Sequence, residues 1–167
     1  VIGTQNKYIA LIRDTLLNVA RIFPKLLSFF DFYHPWQIDN GLIDKSLYPN
    51  KANGIVISQP SLDLKVENKP FDQFIGYSFA LIVFDQNEIL FNDIKALESS
   101  KIFENNIYLI DKDSPFNEDS NFIKWKKDNN ISAVIIRPDR HVYGCCDDES
   151  MIIKVDELNK KLISELT

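Results

Sequence analysis

Two adjacent cysteines, Cys145 and Cys146, are the only thiols in the sequence and the first candidates for redox chemistry. A thiol oxidoreductase needs two cysteines separated by two residues at a helix N-terminus, where the helix dipole and the second thiol lower the pKa of the first. Neighbouring residues in a strand point to opposite faces, and a disulfide between them requires a strained ring. We therefore predict two reduced thiols, one of them buried, and no thiol catalysis.

Metal-dependent and hydrolytic chemistry has few candidate residues. His34 and His141 are far apart in the sequence, and neither is accompanied by a carboxylate pair at metal-ligand spacing. We interpret both as packing or solvent-facing histidines. Asp147, Asp148 and Glu149 form an acidic cluster, and a position at the start of a helix, where the dipole favours anions, explains it without a cation.

Charged residues also flank Pro138: Arg137 precedes it, and Asp139 and Arg140 follow it. Two interpretations stay open. In the first, Asp139 forms hydrogen bonds with a turn backbone and Arg137 forms a local ion pair. In the second, these three side chains dock the domain onto another domain or subunit.

The residues on both sides of this turn predict a β-hairpin. Residues 131–136 are almost all apolar and rich in β-branched side chains, as in a strand buried on both faces. Pro138 presets φ for the second position of a type I turn and Asp139 tolerates the third, so residues 141–146 can pair back antiparallel. Residues 150–166 then repeat apolar positions at helical spacing.

Upstream of the hairpin, strand and helix patterns alternate. Residues 79–84 and 106–111 are predicted strands, residues 88–100 and 122–129 are predicted helices, and residues 113–121 are a polar loop. The order from residue 79 is β-α-β-α-β-β-α. Strands separated by helices predict parallel pairs with crossovers, and the hairpin adds one antiparallel strand. The predicted fold class is α/β with a thioredoxin-like mixed sheet.

A helical segment and an extended arm are predicted to precede this sheet. Residues 8–30 repeat apolar side chains at helical spacing, and Pro24 breaks or kinks the helix. The apolar stripe packs either on the domain's own core or on a domain outside this sequence. An aromatic cluster follows over residues 29–36. Residues 35–54 read as a connector, and residues 55–66 as an arm or edge strand, because Pro60 does not suit a central strand.

The composition is that of a globular protein with one sizeable core: 167 residues, 45% hydrophobic and 26% charged. A net charge of −5 argues against nucleic acid or an anionic membrane as a partner. No apolar run approaches the roughly 20 residues of a membrane span. We expect a cytoplasmic protein that binds neither nucleic acid nor membrane.

Three stretches resemble the FAD-dependent aromatic-ring hydroxylases of class A. Residues 130–144, NISAVIIRPDRHVYG, are similar to the C-terminal signature of that family, and NGIVISQPSLDL (53–64) followed by FDQFIGYSFALIVF (71–84) resembles the segment before it. Within the family, the 3-(3-hydroxyphenyl)propionate hydroxylase type is the most similar, over roughly residues 30–166. The matching positions are Gly54, Gln59, Pro60, Gly76, Phe79, Ala80, Arg137, Pro138, Asp139 and Val142.

The resemblance implies that residues 54–167 are the thioredoxin-like C-terminal domain of such a monooxygenase. Residues 1–53 would be the helical segment and connector from the end of its flavin and substrate part. Parent enzymes of this kind use NAD(P)H to reduce bound FAD and then hydroxylate a phenolic ring. The five glycines here form no Gly-x-Gly-x-x-Gly motif.

We therefore expect FAD and NAD(P)H to bind in the parent and neither cofactor to bind in this fragment, which is inactive alone. The implied partners are the flavin-binding domain of the same parent chain and further copies in a homo-oligomer. The resemblance gives the docking interpretation of Arg137, Asp139 and Arg140 a target, the flavin domain or a neighbouring subunit. The alternative is a stand-alone thioredoxin-like interaction module without thiol redox activity.

Overall fold

The computed structural model describes residues 7–11, 14–15, 37–60, 65–66, 69–85 and 87–167. The chain divides into two compact units, Val1–Pro35 and Trp36–Thr167. In the first unit, residues 7–11 and 14–15 are helical, which agrees with the predicted N-terminal helix. The rest of that helix, the aromatic cluster over residues 29–36 and His34 lie outside the described residues. The predicted boundary between residues 53 and 54, which concerns a longer parent protein, stays a prediction.

The second unit contains a four-stranded mixed sheet and a separate pair of very short strands. The short strands β1 and β2 pair antiparallel, and the four-stranded sheet has the order β4-β3-β5-β6. Strands β3 and β4 are parallel, whereas the β3–β5 and β5–β6 pairs are antiparallel. The strands are β1 (Lys65–Val66), β2 (Lys69–Pro70), β3 (Ala80–Val83), β4 (Ile107–Leu109), β5 (Ala133–Ile136) and β6 (Val142–Cys146).

Helices separate these strands in the predicted order, and the α/β, thioredoxin-like fold class is confirmed. Asn87 caps α2, since its Oδ1 accepts a hydrogen bond from the Ile89 N–H at 3.0 Å, and Asp119 caps α3 in the same way. The predicted polar loop over residues 113–121 contains a short 3₁₀ helix. The helices are α1 (Phe71–Ile75), α2 (Glu88–Ala96), α3 (Ser120–Asp128) and α4 (Met151–Leu166), with 3₁₀ helices at Glu98–Phe103 and Pro115–Glu118.

The prediction that strands separated by helices are parallel is wrong for β5. This strand pairs antiparallel with β3, with Val134 opposite Ile82. The Phe84 N–H, just after β3, donates to the Ser132 carbonyl, just before β5, at 2.8 Å. Strand β5 therefore begins at the end of the sheet where β3 and β4 finish. The connection from β4 through α3 to β5 therefore does not carry the chain back across the sheet, unlike the connection from β3 through α2 to β4.

Both faces of the central sheet are buried, as the apolar run over residues 131–136 predicts. On one face, α1, α3 and the second 3₁₀ helix contribute Phe71, Phe122 and Phe116, with Phe71 and Phe116 centroids 5.0 Å apart. On the other face, α2, the first 3₁₀ helix and α4 cover β3, β5 and β6 with residues such as Ile94 and Leu158. Among the described residues, no helix is long and apolar enough to cross a membrane.

The predicted connector and the start of the arm lie along the outer edge of β6. The N–H of Asp44 donates to the Tyr143 carbonyl at 2.7 Å, and the N–H of Gly54 donates to the Val142 carbonyl at 2.8 Å. Farther along, Val56 forms an antiparallel bridge with His141. The connector therefore protects backbone groups of a strand edge, and the edge position predicted for the arm is confirmed at Val56.

The buried carboxylate of Asp44 fixes this connector to α4. Its Oδ1 lies 2.6 Å from the Nζ of Lys161, and its Oδ2 accepts from the Tyr48 N–H at 2.8 Å. Burial alone would raise the pKa of Asp44, but the hydrogen bonds from Lys161 and from the backbone N–H groups of Leu47, Tyr48 and Ser46 hold it below its ordinary value.

Candidate functional site

The turn predicted at Pro138 and Asp139 joins β5 to β6. The Arg140 N–H donates to the Arg137 carbonyl at 2.9 Å, and the Arg137 N–H donates to the His141 carbonyl at 2.9 Å. Arg140 adopts a φ of 70°, in the left-handed region that residues with a side chain rarely occupy. The three predicted docking residues therefore lie together at the hairpin tip.

Arg137 and Asp139 form the local ion pair of the first interpretation. The Arg137 Nη2 lies 2.7 Å from the Asp139 Oδ2, and Nη1 donates to the carbonyl of Leu42 at 3.1 Å. Burial would raise the pKa of Asp139, but the His141 N–H, the Arg137 charge and the His141 ring together lower it. Arg137 thus links the tip to the connector, while the Asp139 side chain is 46% exposed.

Arg140 reaches from the tip to the first turn of α1. Its Nε donates to the Asp72 Oδ1 at 2.8 Å and its Nη2 to the Asp72 carbonyl at 2.8 Å. The Gln59 Nε2, from the arm, donates to the same Oδ1 at 2.9 Å. The Arg140 guanidinium lies 5.9 Å from the centroid of the Tyr77 ring, which is 88% exposed. We call Gln59, Asp72, Tyr77, Arg137, Asp139 and Arg140 the hairpin-tip cluster.

The histidine beside the turn packs within this region. The Nδ1 of His141 lies 3.3 Å from the Asp139 Oδ1, and its side chain is mostly buried. The acidic cluster of residues 147–149 lies just before α4, which begins after Ser150, and its Asp147 forms an ion pair with Lys154 on that helix. Within the part of the chain that the structure describes, no group of three His, Cys, Asp or Glu side chains is arranged to hold a metal ion.

The two cysteines are free thiols, as predicted, but both are buried rather than one. Cys145 packs on the α1 and α3 face of the sheet and Cys146 on the α2 and α4 face, because adjacent side chains of β6 point to opposite sides. Burial raises the pKa of both thiols, that of Cys146 to about 12. The Cys145 Sγ donates to the buried Asn53 Oδ1 at 3.3 Å. Neither thiol has the environment of a nucleophile.

A cleft of about 740 Å³ lies at the carboxyl ends of β3 and β4. Phe84 and Asp85 follow β3, Ile110 and Asp111 follow β4, and Lys126 extends from α3. The cleft could not be predicted from the sequence, because its lining comes from separate segments. The local signal is an aspartate at the end of each predicted strand: Asp85 directly follows the first, and Asp111 is the last residue of the second.

Comparison with protein-family models gives no match for this sequence, and comparison with curated proteins gives none either. Among solved structures, the substrate-free form of the rebeccamycin biosynthetic enzyme REBC is similar, at 14% identity and a TM-score of 0.44. The similarity covers 85% of this chain and 26% of that chain. This chain thus spans about a quarter of the length of REBC.

Proposed function

We propose that this chain is the C-terminal accessory domain of an FAD- and NAD(P)H-dependent aromatic monooxygenase. A flavin-binding domain of the same parent protein carries out the hydroxylation of a phenolic substrate. The accessory domain takes no part in that chemistry and serves to dock on the flavin-binding domain or on a second copy of the parent. The basis is the resemblance of residues 53–64, 71–84 and 130–144 to that family.

One structural observation supports the proposal: residues from all three stretches meet around the hairpin tip. Gln59 from the first stretch and Arg140 from the third both donate hydrogen bonds to Asp72 in the second. Gly54 from the first stretch donates to Val142 in the third. The three stretches therefore belong to one structural unit.

Gly54 also has a physical reason to be glycine in such a unit. Its φ is 80°, and a Cβ at this position would lie 2.5 Å from the Ile38 carbonyl oxygen. A side chain is therefore excluded both by the backbone conformation and by the contact. The close approach brings two parts of the connector together at the point where the Gly54 N–H donates to Val142 of β6.

In the proposed docking mode, the residues of the hairpin-tip cluster have different tasks. Arg137 and Arg140 are positioning residues, because they donate hydrogen bonds to Asp139, the Leu42 carbonyl and Asp72 within the domain. The exposed side chains of Asp139 and Tyr77 make the contact with the partner domain. Tyrosine suits this task, since its large ring and hydroxyl are enriched at protein interfaces.

Hydrogen exchange compares the isolated chain with the full-length parent and tests docking directly. We expect peptides covering residues 72–79 and 137–142 to exchange more slowly in the parent, while peptides from the outer face of α4 around Ile153 do not change. In the parent, Tyr77→Ala should remove the added protection, and Ile153→Ala, at another exposed apolar position, should retain it. Equal exchange of the tip in both proteins would rule out docking through this surface.

The second candidate is a stand-alone interaction module without thiol redox activity. Its supporting observation is again Tyr77, an aromatic side chain that is 88% exposed beside a cation. The two candidates differ in whether the gene encodes a flavin-binding domain in the same chain. Mass measurement of the protein from its native source and its visible absorbance separate them, since only the accessory-domain proposal requires a longer, flavin-containing chain.

A further inference from the structure

The cleft at the carboxyl ends of β3 and β4 lies where open α/β sheets commonly bind ligands. Its volume of about 740 Å³ is within the range of small-molecule sites. Apolar side chains from the strand ends and from α3 and α4 supply part of the lining, including Phe84, Ile110, Ile123 and Met151. The cleft is separate from the hairpin-tip cluster. It lies at the end of the sheet where β5 begins and β6 ends, whereas the turn between these two strands lies at the opposite end.

Lys126 is the unusual charged group in this cleft. Its Nζ lies 4.9 Å from the centroid of the Phe84 ring, and the side chain is half-buried. Burial lowers the pKa of Lys126, and the nearby Asp85 carboxylate opposes that effect without cancelling it. The ammonium has therefore lost more hydration than the surrounding charges restore.

Five lysines of the second unit form direct ion pairs. A carboxylate oxygen lies within 4.0 Å of the Nζ of each of Lys101, Lys124, Lys154, Lys160 and Lys161. Three lysines of the cleft, Lys112, Lys126 and Lys127, form no ion pair with any residue that the structure describes. Of these, Lys126 is half-buried, whereas Lys112 and Lys127 are exposed. An ammonium that is partly desolvated, stacked on an aromatic ring and unpaired is suited to receive an anion.

The remaining charges of the cleft limit what that anion can be. Lys112 and Lys127 add positive charge, whereas Asp85, Asp111 and Asp148 add negative charge. With Lys126, the lining carries three positive and three negative side chains, so a multiply charged anion such as a phosphate ester meets no net positive charge. A single negative charge on an apolar body matches both the one half-buried ammonium of the lining and its apolar part.

We propose that this cleft binds a small organic carboxylate, with Lys126 receiving the carboxylate group and the apolar lining contacting the rest of the molecule. The proposal is independent of the accessory-domain function, because it requires neither flavin nor a parent protein.

An NMR titration of the chain with sodium benzoate, at constant ionic strength, tests this site. We expect saturable shifts of the backbone amides of residues 84–85, 110–112 and 126–127, with no saturable shifts on addition of benzyl alcohol, which lacks the charge. Lys126→Met should weaken benzoate binding by at least about tenfold, the loss expected for one charge-assisted hydrogen bond. Lys124→Met, on the same helix but exposed and paired with Asp128, should bind like the wild type.

Three outcomes would overturn the proposal: no saturable shifts with benzoate, saturable shifts that lie elsewhere, or equal binding of benzyl alcohol. Undiminished binding by a folded Lys126→Met variant would also overturn it. If that variant does not fold, as judged by far-UV circular dichroism, the comparison of benzoate with benzyl alcohol decides without any substitution.

Discussion

The Arg140 Nε lies 2.8 Å from the Asp72 Oδ1, and this contact joins residues that are 68 positions apart in the sequence. It holds the hairpin tip against the first turn of α1, and Gln59 brings the arm to the same oxygen. The Arg140 side chain is only 12% exposed, whereas the Asp72 side chain is 47% exposed. The contact is therefore stronger than a surface ion pair but partly screened by solvent.

Replacing Arg140 with alanine should lower the free energy of unfolding by about 1–2 kcal/mol, because the Asp72 hydrogen bonds are lost. Arg140→Gly should lose less than Arg140→Ala, since glycine accepts the φ of 70° without strain. Urea unfolding of Arg140→Ala, Asp72→Ala and the double variant gives the coupling energy. Purely additive effects would show that the contact does not stabilise the fold.

Gly54→Ala should be among the more damaging single substitutions in the connector. The positive φ costs about 1–2 kcal/mol for a residue with a side chain, and the added Cβ would lie 2.5 Å from the Ile38 carbonyl oxygen. Gly41→Ala is the matched control, because Gly41 also has a positive φ but no atom within 4 Å of a Cβ. Thermal unfolding should rank Gly54→Ala clearly below Gly41→Ala. Equal melting temperatures would mean that the connector adjusts freely around residue 54.

Asp44→Asn should reduce the free energy of unfolding at pH 7 by about 3 kcal/mol, since it breaks a buried ion pair with Lys161. The folded state lowers the pKa of Asp44 from its ordinary 3.8. The carboxylate's contribution is therefore complete above about pH 3.8 and is lost as the pH falls through the lower pKa of the folded state.

Urea titrations at several pH values check this dependence. The difference between the wild type and Asp44→Asn should stay constant from pH 8 to 5 and shrink below pH 3.8. Asp39→Asn, at an exposed position of the same connector, should differ little from the wild type at pH 7. A difference at Asp44 that grows as the pH falls has the wrong sign for this interpretation.

Cys145 and Cys146 should react slowly with Ellman's reagent at pH 8 in the folded chain. Both thiols are buried and their pKa values are raised, so reaction requires local opening of the fold. In denaturant, both should react at once, and the folded chain should not reduce insulin disulfides. Rapid labelling of either thiol in the folded chain would contradict the burial of β6.

The hairpin and the order of elements were predictable because their signals are local. The β-branched run over residues 131–136, the Pro138–Asp139 turn and the helical spacing after residue 150 each act within one segment. Asp44 and Lys161 are 117 residues apart, and nothing near either residue marks the other as its partner. The antiparallel direction of β5 was missed for the same reason, since it depends on which end of the sheet the chain re-enters after α3.

At the candidate site, too, the local signals are visible in the sequence and the long-range contacts are not. Arg137, Asp139 and Arg140 stand out beside a proline turn, but their partners Leu42 and Asp72 are visible only once the connector and α1 are folded against the hairpin. Lys126 is one of three lysines within four residues of α3. Its position over Phe84 distinguishes it, and that depends on packing between a helix and a strand end.

The most direct measurement is a titration of the purified chain with FAD, followed by flavin fluorescence and visible absorbance, with NADH oxidation as a second readout. The urea-unfolded chain serves as the control for nonspecific quenching. The accessory-domain account predicts no saturable binding and no NADH consumption. Stoichiometric binding of FAD by the folded chain would contradict it, since the flavin site would then lie in this domain rather than elsewhere in the parent protein.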